Sequence, residues 1–368
     1  MTTDSEILSS LVLSRQPGLT QAQALSLLRY YGTAEAAFAD TSPASALWAR
    51  VKTVSSAAVL DRVQAEIDFC RTHGVRIIPF SSDEYPRLLK GEEVTDAPLN
   101  LFYRGSGPLD RRHILSIVGT RHITEYGKDF IESFIAELAR LVPDVLIVSG
   151  LAYGVDIHAH RAALAGRLDT VAVLAHGHDR IYPGLHRRTA EEMTRHGGLL
   201  TEYFSGTVPD KGNFVRRNRI VAGVAQATLV VESAEKGGAL ITANLAAGYG
   251  REVMALPGRV GDLYSVGCNR LIRDNKAVLV TSAADVVKVL NWQCAAPPSQ
   301  PRQLSLFPVL TPEQQAVVDA LAGDEGLTVD QLAVRTRLSV PQLNDMLFDL
   351  EDMDVVKRLP GNRYRSKG

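Results

Sequence analysis

The chain has 368 residues, of which 45% are hydrophobic and 22% charged, and its formal net charge is −1. These values are typical of a globular protein with about two or three domains. The net charge excludes a protein whose whole surface binds nucleic acid, since such a surface would be strongly basic. Any nucleic-acid site must therefore concentrate its positive charge locally.

The cysteines and the N-terminus indicate the compartment. Cys70, Cys268 and Cys294 are far apart and form no CxxC pair, which favours a reducing environment and argues against a structural zinc site. The first residues lack the basic region of a signal peptide, and no run of about 18 apolar residues could span a membrane. We therefore expect a cytoplasmic protein without a membrane span.

Residues 1–80 are predicted to form a small helical domain, similar to a SAM or helix-hairpin-helix domain. Leucines and alanines recur at helical spacing between residues 11 and 28, and Pro17-Gly18 marks a tight turn. Helical hairpins can bind a DNA backbone through helix N-termini. The segment has few basic residues, however, and this favours a packing role.

Residues 81–292 are predicted to form an α/β domain, because short apolar runs alternate with helical patterns. The predicted strands cover residues 114–118, 145–149, 171–174, 228–232, 253–256 and 277–280. Apolar strands separated by helices indicate a mostly parallel sheet that is covered on both faces. The expected architecture is an extended, doubly wound Rossmann-like fold, in which ligands bind beyond the carboxyl ends of the strands.

The C-terminal part of the chain is predicted to hold a linker and a winged helix. Residues 293–309 have the proline-rich composition of a linker. In residues 310–368, Thr311, Thr328 and Ser339 can each cap a helix, and a strand–turn–strand pattern follows. Three helices and a hairpin in this order indicate a winged-helix domain.

Two glycine-containing motifs in the α/β domain suit phosphate binding. Gly119, Thr120 and Arg121 follow a predicted strand, where a glycine lets the backbone approach a ligand, free amides hold an anion and a guanidinium binds phosphate. Gly237 and Gly238 open a predicted helix, whose N-terminus attracts anions. A lone Gly-x-Arg is weakly specific, and the glycine pair alone is equally compatible with a plain tight turn.

A third motif, in residues 211–219, combines positive charge with an aromatic ring. Lys211, Arg216, Arg217 and Arg219 surround Phe214. Cations attract phosphates, and a phenyl face can stack on an unpaired base, so the combination suits single strands better than duplex. The alternative is a solvated, charged helix face.

Taken in order, these motifs resemble the DNA-processing protein A family, also called DprA or Smf. The resemblance covers roughly residues 85–290. It also includes Asp156-Ile157-His158-Ala159-His160, Ile181-Tyr182-Pro183, Arg217-Asn218-Arg219-Ile220 and Leu240-Ile241-Thr242-Ala243. The resemblance implies an extended Rossmann domain that binds single-stranded DNA in a basic pocket and forms a homodimer.

The resemblance also implies a function and assigns residues to it. The protein would load a RecA-type recombinase on single-stranded DNA during natural transformation or recombinational repair, and we expect no enzymatic activity, cofactor or metal. By position, the candidate DNA-binding residues are Gly119, Thr120, Arg121, Lys211, Phe214, Arg217, Asn218, Arg219, Gly237 and Gly238. Gly237-Gly238-Ala239 replaces the family's Ser-Gly-Ser, so phosphate contacts there would come from backbone amides.

The winged helix does not look like a standard DNA reader. Its third helix, about residues 340–352, carries four acidic residues and no lysine or arginine. Placing this face in the major groove would be repulsive, and only the hairpin that follows is basic. We therefore predict that this domain binds a partner or regulates the protein.

A short peptide in the linker resembles a docking motif. The segment from Gln303 to Phe307, Gln-Leu-Ser-Leu-Phe, is similar to the pentapeptide with which bacterial proteins bind the DNA polymerase sliding clamp. The alternative is that its apolar side chains pack onto the winged helix.

Other functions remain open. Asp156, His158 and His160, with His176 and His178, have zinc-like spacing, but no further acidic ligand is recognisable. A Rossmann-fold nucleotide hydrolase would need a catalytic carboxylate in the loop at 237–244, which lacks one, and no Walker motif occurs. A nucleotide-binding regulator is the remaining alternative, and it would prefer a mononucleotide over an oligonucleotide.

Overall fold

A computed structural model describes residues 2–40, 57–294, 310–322 and 326–367. The chain divides into two compact units, Met1–Ala296 and Pro297–Gly368. None of the helices in the described residues combines the length and the apolar character that crossing a bilayer requires. The peptide from Gln303 to Phe307 lies outside the described residues, so its predicted clamp interaction stays a prediction.

The described part of the first unit is built on one large sheet. Its strands are β1 (Arg76–Pro79), β2 (Asn100–Ser106), β3 (Ile114–Val118), β4 (Leu146–Ser149), β5 (Thr170–Val173), β6 (Gly197–Thr201), β7 (Ala227–Val230), β8 (Glu252–Ala255) and β9 (Val278–Leu279). Their spatial order is β1-β2-β6-β5-β4-β3-β7-β8-β9. The strands from β6 across to β9 run parallel, whereas β1 and β2 add an antiparallel edge. Ser116 in β3 pairs with Val148 on one side and Thr228 on the other.

Helices cover both faces of this sheet. They are α1 (Asp4–Ser14), α2 (Gln21–Tyr31), α3 (Ala34–Ala39), α4 (Ala57–Thr72), α5 (Arg87–Lys90), α6 (Glu125–Leu141), α7 (Val155–Ala165), α8 (Arg187–Met193), α9 (Lys211–Gly223), α10 (Gly238–Gly248), α11 (Val266–Arg273) and α12 (Ala283–Val289). Leu115 and Ile117 of β3 pack in the core that contains α6, while Ile114 and Val118 pack in the core that contains α9 and α10. A strand buried on both faces is what a doubly wound parallel sheet requires. The predicted fold class is therefore confirmed.

Three described strands of this sheet, β1, β2 and β6, escaped the sequence analysis, while the six strands predicted for the α/β domain all form within two residues of their predicted bounds. β1 occupies the end of the segment predicted as helical. β6 begins with Gly197 and Gly198, and glycine normally weakens a strand pattern. A Cβ at residue 198 would lie 2.5 Å from Cε2 of Tyr103 in β2, so packing of the tyrosine ring requires glycine there.

The N-terminal helices and the sheet lie in the same compact unit. The buried carboxylate of Glu6 in α1 accepts hydrogen bonds from the Ala34 and Glu35 amides (3.0 and 2.8 Å) and from Ser81 Oγ (2.6 Å). Asn100 Nδ2 in β2 donates to the Ser10 carbonyl at 3.0 Å. These bonds tie α1 to α3 and to the sheet edge. The division into domains at residues 80 and 292 stays a prediction.

The second unit is a winged helix, as predicted. Its elements are α13 (Pro312–Leu321), β10 (Leu327–Thr328), α14 (Val329–Thr336), α15 (Val340–Asp352), β11 (Val356–Leu359) and β12 (Arg363–Ser366). Thr311, Thr328 and Ser339 are the N-cap residues of the three helices, as their positions in the sequence indicate. The sheet order is β10-β12-β11, so β12 is the central strand. The apolar sides of the helices and Tyr364 form one core.

Candidate nucleic-acid interface

The candidate site lies where the winding of the sheet reverses. From β3 the chain proceeds to β4 on one side, and from β7 it proceeds to β8 on the other. The connections therefore leave in opposite directions, and a crevice opens beyond the carboxyl ends of these strands. A cavity of about 690 Å³ occupies this crevice, and α9 and the start of α10 complete its walls.

Gly119 lets the loop after β3 pass close to α7. A Cβ at residue 119 would lie 2.3 Å from Cγ2 of Val155, so another side chain would force the loop away from the helix. The Thr120 amide donates to the Glu232 carbonyl at 2.7 Å, and the Thr120 carbonyl accepts from the Val155 amide at 3.1 Å. The Thr120 amide is thus occupied, although the sequence analysis expected free amides at this turn. Thr120 shapes the loop, and its contact with DNA stays a prediction.

Arg121 is exposed at the cavity and lies over the ring of Phe214, which is partly buried. Its guanidinium carbon lies 5.3 Å from the centroid of the Phe214 ring, and the Tyr182 ring lies 5.8 Å from the same centroid on a tilted plane. Lys211, the first residue of α9, is exposed and lines the same cavity. Asp210 caps α9 by accepting the Asn213 amide at 3.0 Å, which fixes where Lys211 and Phe214 lie.

Tyr182 was not among the candidate residues from the sequence. Its side chain is 45% exposed and lines the cavity. The signal was present, because Arg180 and Tyr182 repeat the combination of a cation and an aromatic ring that singled out residues 211–219.

Arg217 forms the floor of the cavity, and its Nη1 is bonded to the sheet. Its buried guanidinium donates to the Gly150 carbonyl at 2.6 Å and also to the Val173 carbonyl. A Cβ at residue 150 would lie 2.5 Å from Nη2 of Arg217, so glycine makes room for the guanidinium. Burial lowers the pKa of Arg217, and the nearby Asp156 carboxylate opposes this shift.

Asp156, in the first turn of α7, is the buried anion opposite Arg217. Burial raises the pKa of this carboxyl, while Arg217 and the hydrogen bond from the Ala152 amide lower it. The two opposite charges stabilise each other away from water. Asp156 and Arg217 therefore support the floor of the cavity together.

The remaining candidates divide into two groups. Asn218 and Gly238 line the cavity, and Gly238 begins α10 there. Gly237 and Arg219 are not among the described residues that line it. Arg219 is buried and forms an ion pair with Glu202. The structure thus gathers eight of the ten candidates around one cavity, and the DNA contacts of all ten remain predictions.

The histidine motif that resembles a zinc site has a packing role. His160 is fully buried, and its Nδ1 lies 2.7 Å from Thr170 Oγ1. Burial lowers the pKa of His160 to about 3. The alternation of Asp156, His158 and His160 would share one face on a strand, but these residues are on α7, where every second residue turns away.

A doubly wound sheet with a cationic and aromatic cavity at its switch point defines a Rossmann-like ligand-binding protein. Comparison with known families is more specific. The model of DNA recombination-mediator protein A matches residues 76–291, and that of the DprA winged-helix domain matches residues 295–362. The chain therefore belongs to the DNA recombination-mediator protein A (DprA) family, and the resemblance seen in the sequence is confirmed.

Individual relatives agree with this assignment. Escherichia coli protein Smf is 36% identical over 296 residues, which cover 78% of this chain and 77% of that protein. The structure of DprA from Streptococcus pneumoniae is similar with a TM-score of 0.63 and 33% identity, over 78% of this chain and 98% of that chain. A Helicobacter pylori DprA structure, described as showing a single-stranded DNA binding mode, has a TM-score of 0.52 and 28% identity over 59% and 95% of the two chains.

Proposed function

We propose that this chain binds single-stranded DNA in the cavity beyond β3 and β7. The stack of Arg121, Phe214 and Tyr182 carries this proposal, because a cation and two aromatic faces suit an unpaired base and its phosphate. Exposed Lys211 adds a second cation beside the stack. Base faces are hidden inside a duplex, so the arrangement favours a single strand. The single-stranded DNA binding mode described for the H. pylori relative supports the proposal.

The bound strand would then be handed to a RecA-type recombinase during natural transformation or recombinational repair. The description of the family as recombination mediators supports this step. Phosphate and stacking contacts carry little base information, so we expect little sequence preference. We expect binding without catalysis, because the family is described as recombination mediators.

The assembly and location of the protein complete the proposal. We expect a cytoplasmic homodimer with a helical domain at 1–80, an α/β domain at 81–292, a linker at 293–309 and a winged helix at 310–368. The segment from Gln303 to Phe307 is proposed as a docking peptide for the sliding clamp, and failure of a 298–310 peptide to bind a clamp would remove that part.

Fluorescence anisotropy with labelled oligo-dT tests the DNA site. The double substitution Arg121→Ala with Lys211→Glu should weaken binding about 100-fold, because it removes one phosphate contact and reverses the charge at another. Wild-type binding should weaken steeply with salt, and a matched duplex should bind less tightly. A recombinase assembly assay on the same oligonucleotide then tests the handover.

A matched control changes the same charges elsewhere. Arg140→Ala with Lys288→Glu alters two exposed residues that do not line the cavity, and this variant should bind like the wild type. Equal binding by both double variants would contradict the DNA site. Displacement of oligo-dT by an equimolar mononucleotide would instead favour a nucleotide-binding regulator.

A further inference from the structure

The DNA cavity continues into two further depressions. A groove of about 770 Å³ shares Lys211, Val215 and Ile241 with the cavity. A hollow of about 310 Å³ in turn shares Gln21 and Arg216 with this groove. We call the groove and the hollow together the seam groove. Because successive depressions share side chains, they adjoin one another from the cavity, across α9, to the N-terminal helices.

The far wall of the seam groove is held firmly in place. Arg15 and Thr20, which lie between α1 and α2, line the hollow. Gln21 at the start of α2 donates through Nε2 to the carbonyls of Asp96 and Ala97, at 2.9 and 3.0 Å. These bonds fix the N-terminus of α2 against the part of the chain that precedes β2, so the wall keeps its distance from α9.

The charge of the seam groove is positive. Its basic side chains are Lys211, Arg15, Arg216 and Arg219, and its acidic ones are Asp96 and Glu202. Arg219 and Glu202 neutralise each other in a buried ion pair, and Asp96 accepts a hydrogen bond from Tyr249 Oη at 2.6 Å. Among the described residues, Arg15 and Arg216 form no ion pair, and both are exposed. Two cations on different elements thus face one open channel.

We infer that the seam groove is a second subsite for single-stranded DNA, in which a strand leaving the cavity places its phosphates against Arg216 and Arg15. The inference rests on the proposed function of the cavity. Lys211 lies at the junction and belongs to both. The exposed side chains of Val215 and Ile241, 46% and 40% accessible, offer apolar contact to sugars and base faces beside Lys211, where the cavity and the groove adjoin.

This subsite gives the N-terminal helices a role beyond packing. The sequence analysis left DNA contact by residues 1–80 open, and their scarcity of basic residues argued against it. The structure supplies the missing charge from α9, since Arg216 lines the hollow that Arg15 closes from the other side. A protein partner is the competing occupant. Continuity with the cavity and the excess of cations favour DNA.

Binding measured against oligonucleotide length tests the inference. Arg216→Glu and Arg15→Glu are compared with the wild type on an oligo-dT series from about 4 to about 24 nucleotides, a range that brackets common site sizes. Each variant should leave the shortest bound oligonucleotide within about twofold of the wild type. Each should weaken the longest about tenfold and reduce the salt slope by about 0.7 for each phosphate that the protein no longer neutralises. Arg195→Glu, at an exposed position outside the cavities, should match the wild type at every length.

Two variants on separate elements protect the test from folding artefacts. Arg216 also lowers the pKa of the buried Glu202 carboxyl, so Arg216→Glu alone could disturb that pair, whereas Arg15→Glu does not touch it. Unchanged affinity for long oligonucleotides in both variants would overturn the subsite and leave the cavity proposal intact. Equal weakening at all lengths would also overturn it, because the residues would then act on the cavity. Absence of single-strand binding by the wild type would overturn both proposals.

Discussion

Helices α9 and α15 have the same length, 13 residues, and opposite charge. The first carries four basic residues and no acidic one, and the second carries four acidic residues and no basic one. Each also has one phenylalanine, Phe214 in α9 and Phe348 in α15. One helix lines the cavity of a Rossmann-like unit, and the other stands where a winged helix normally reads DNA.

The comparison shows that the number of charged residues in a helix does not tell how many of them are exposed to a ligand. In α9, two of the four cations are buried: Arg217 donates to the Gly150 carbonyl after β4, and Arg219 forms an ion pair with Glu202. Only Lys211 and Arg216 remain exposed. In α15, all four carboxylates are exposed. The basic helix therefore uses half of its cations for structure, and the acidic helix keeps all four of its charges at the surface. A winged-helix fold alone does not make a DNA reader.

The largest expected effect is a difference in the free energy of unfolding between variants of a buried and an exposed arginine of α9. Arg217→Met should lower the free energy of unfolding by about 3 kcal/mol, because it leaves the buried Gly150 and Val173 carbonyls without their donor and removes the cation that opposes the effect of burial on Asp156. Arg216→Met, at an exposed neighbouring position, should change it by less than about 0.5 kcal/mol. Urea unfolding of the full chain measures both. Similar values for the two variants would mean that Arg217 does not support the cavity floor.

The second largest expected effect is a difference between the two units in how their free energy of unfolding depends on pH. His160 has a pKa lowered by burial from 6.5 to about 3, so the folded state keeps it neutral while the unfolded state protonates it below pH 6.5. The stability it contributes is complete above that pH and is lost as the pH falls towards 3. Between pH 7 and pH 5 the first unit should lose about 2 kcal/mol through His160. Residues 310–368 contain no histidine and should lack this loss.

The measurement is the pH dependence of urea unfolding. His160→Gln should reduce the slope of the first unit between pH 7 and pH 5 and leave the part that other buried histidines such as His178 contribute, because burial also lowers the pKa of His178, to about 4. His196→Gln, at an exposed position, should keep the full slope. A slope that is the same in the wild type and His160→Gln would contradict the buried, neutral state of this histidine.

The order of strands and helices in the sequence predicted the position of the cavity but not all of its contacts. Strands that alternate with helices place their carboxyl ends at one edge, so the motifs after β3 and β7 were expected to meet. The occupied Thr120 amide could not be foreseen, because its partner Glu232 follows a strand that becomes adjacent to β3 only in the folded sheet. Tyr182 was part of the family resemblance but was not chosen as a site residue, because its loop lies outside the three motifs that suit phosphate or base binding.

The burial of Arg217 could be predicted in part from the sequence. Three and four residues further along α9 lie Ile220 and Val221, which are buried, so helical periodicity places Arg217 on the apolar face. Arg219 had no such signal, because its burial depends on Glu202, which follows β6. That strand was not predicted, since its paired glycines do not form an apolar run.

A smaller effect distinguishes the two phenylalanines. Phe214→Ala should weaken oligo-dT binding about tenfold, because the variant has no aromatic ring on which a base can stack. Phe348, which is 73% exposed on the acidic helix, should tolerate Phe348→Ala without a change in DNA affinity. Anisotropy titrations at one salt concentration compare the two variants. A loss of affinity in Phe348→Ala would show that α15 contacts DNA.

The smallest expected effect concerns the winged helix as a whole. Deletion of residues 310–368 should change oligo-dT affinity by less than about threefold, because it removes the four carboxylates of α15 together with the basic residues of β11 and β12. Titrations at low and high salt separate the two contributions. Tighter binding only at low salt would show that the carboxylates repel DNA, whereas a loss of more than about tenfold would show that the hairpin holds it. In that case the basic hairpin would contribute to DNA affinity, and the predicted role of the winged helix in binding a partner would be wrong.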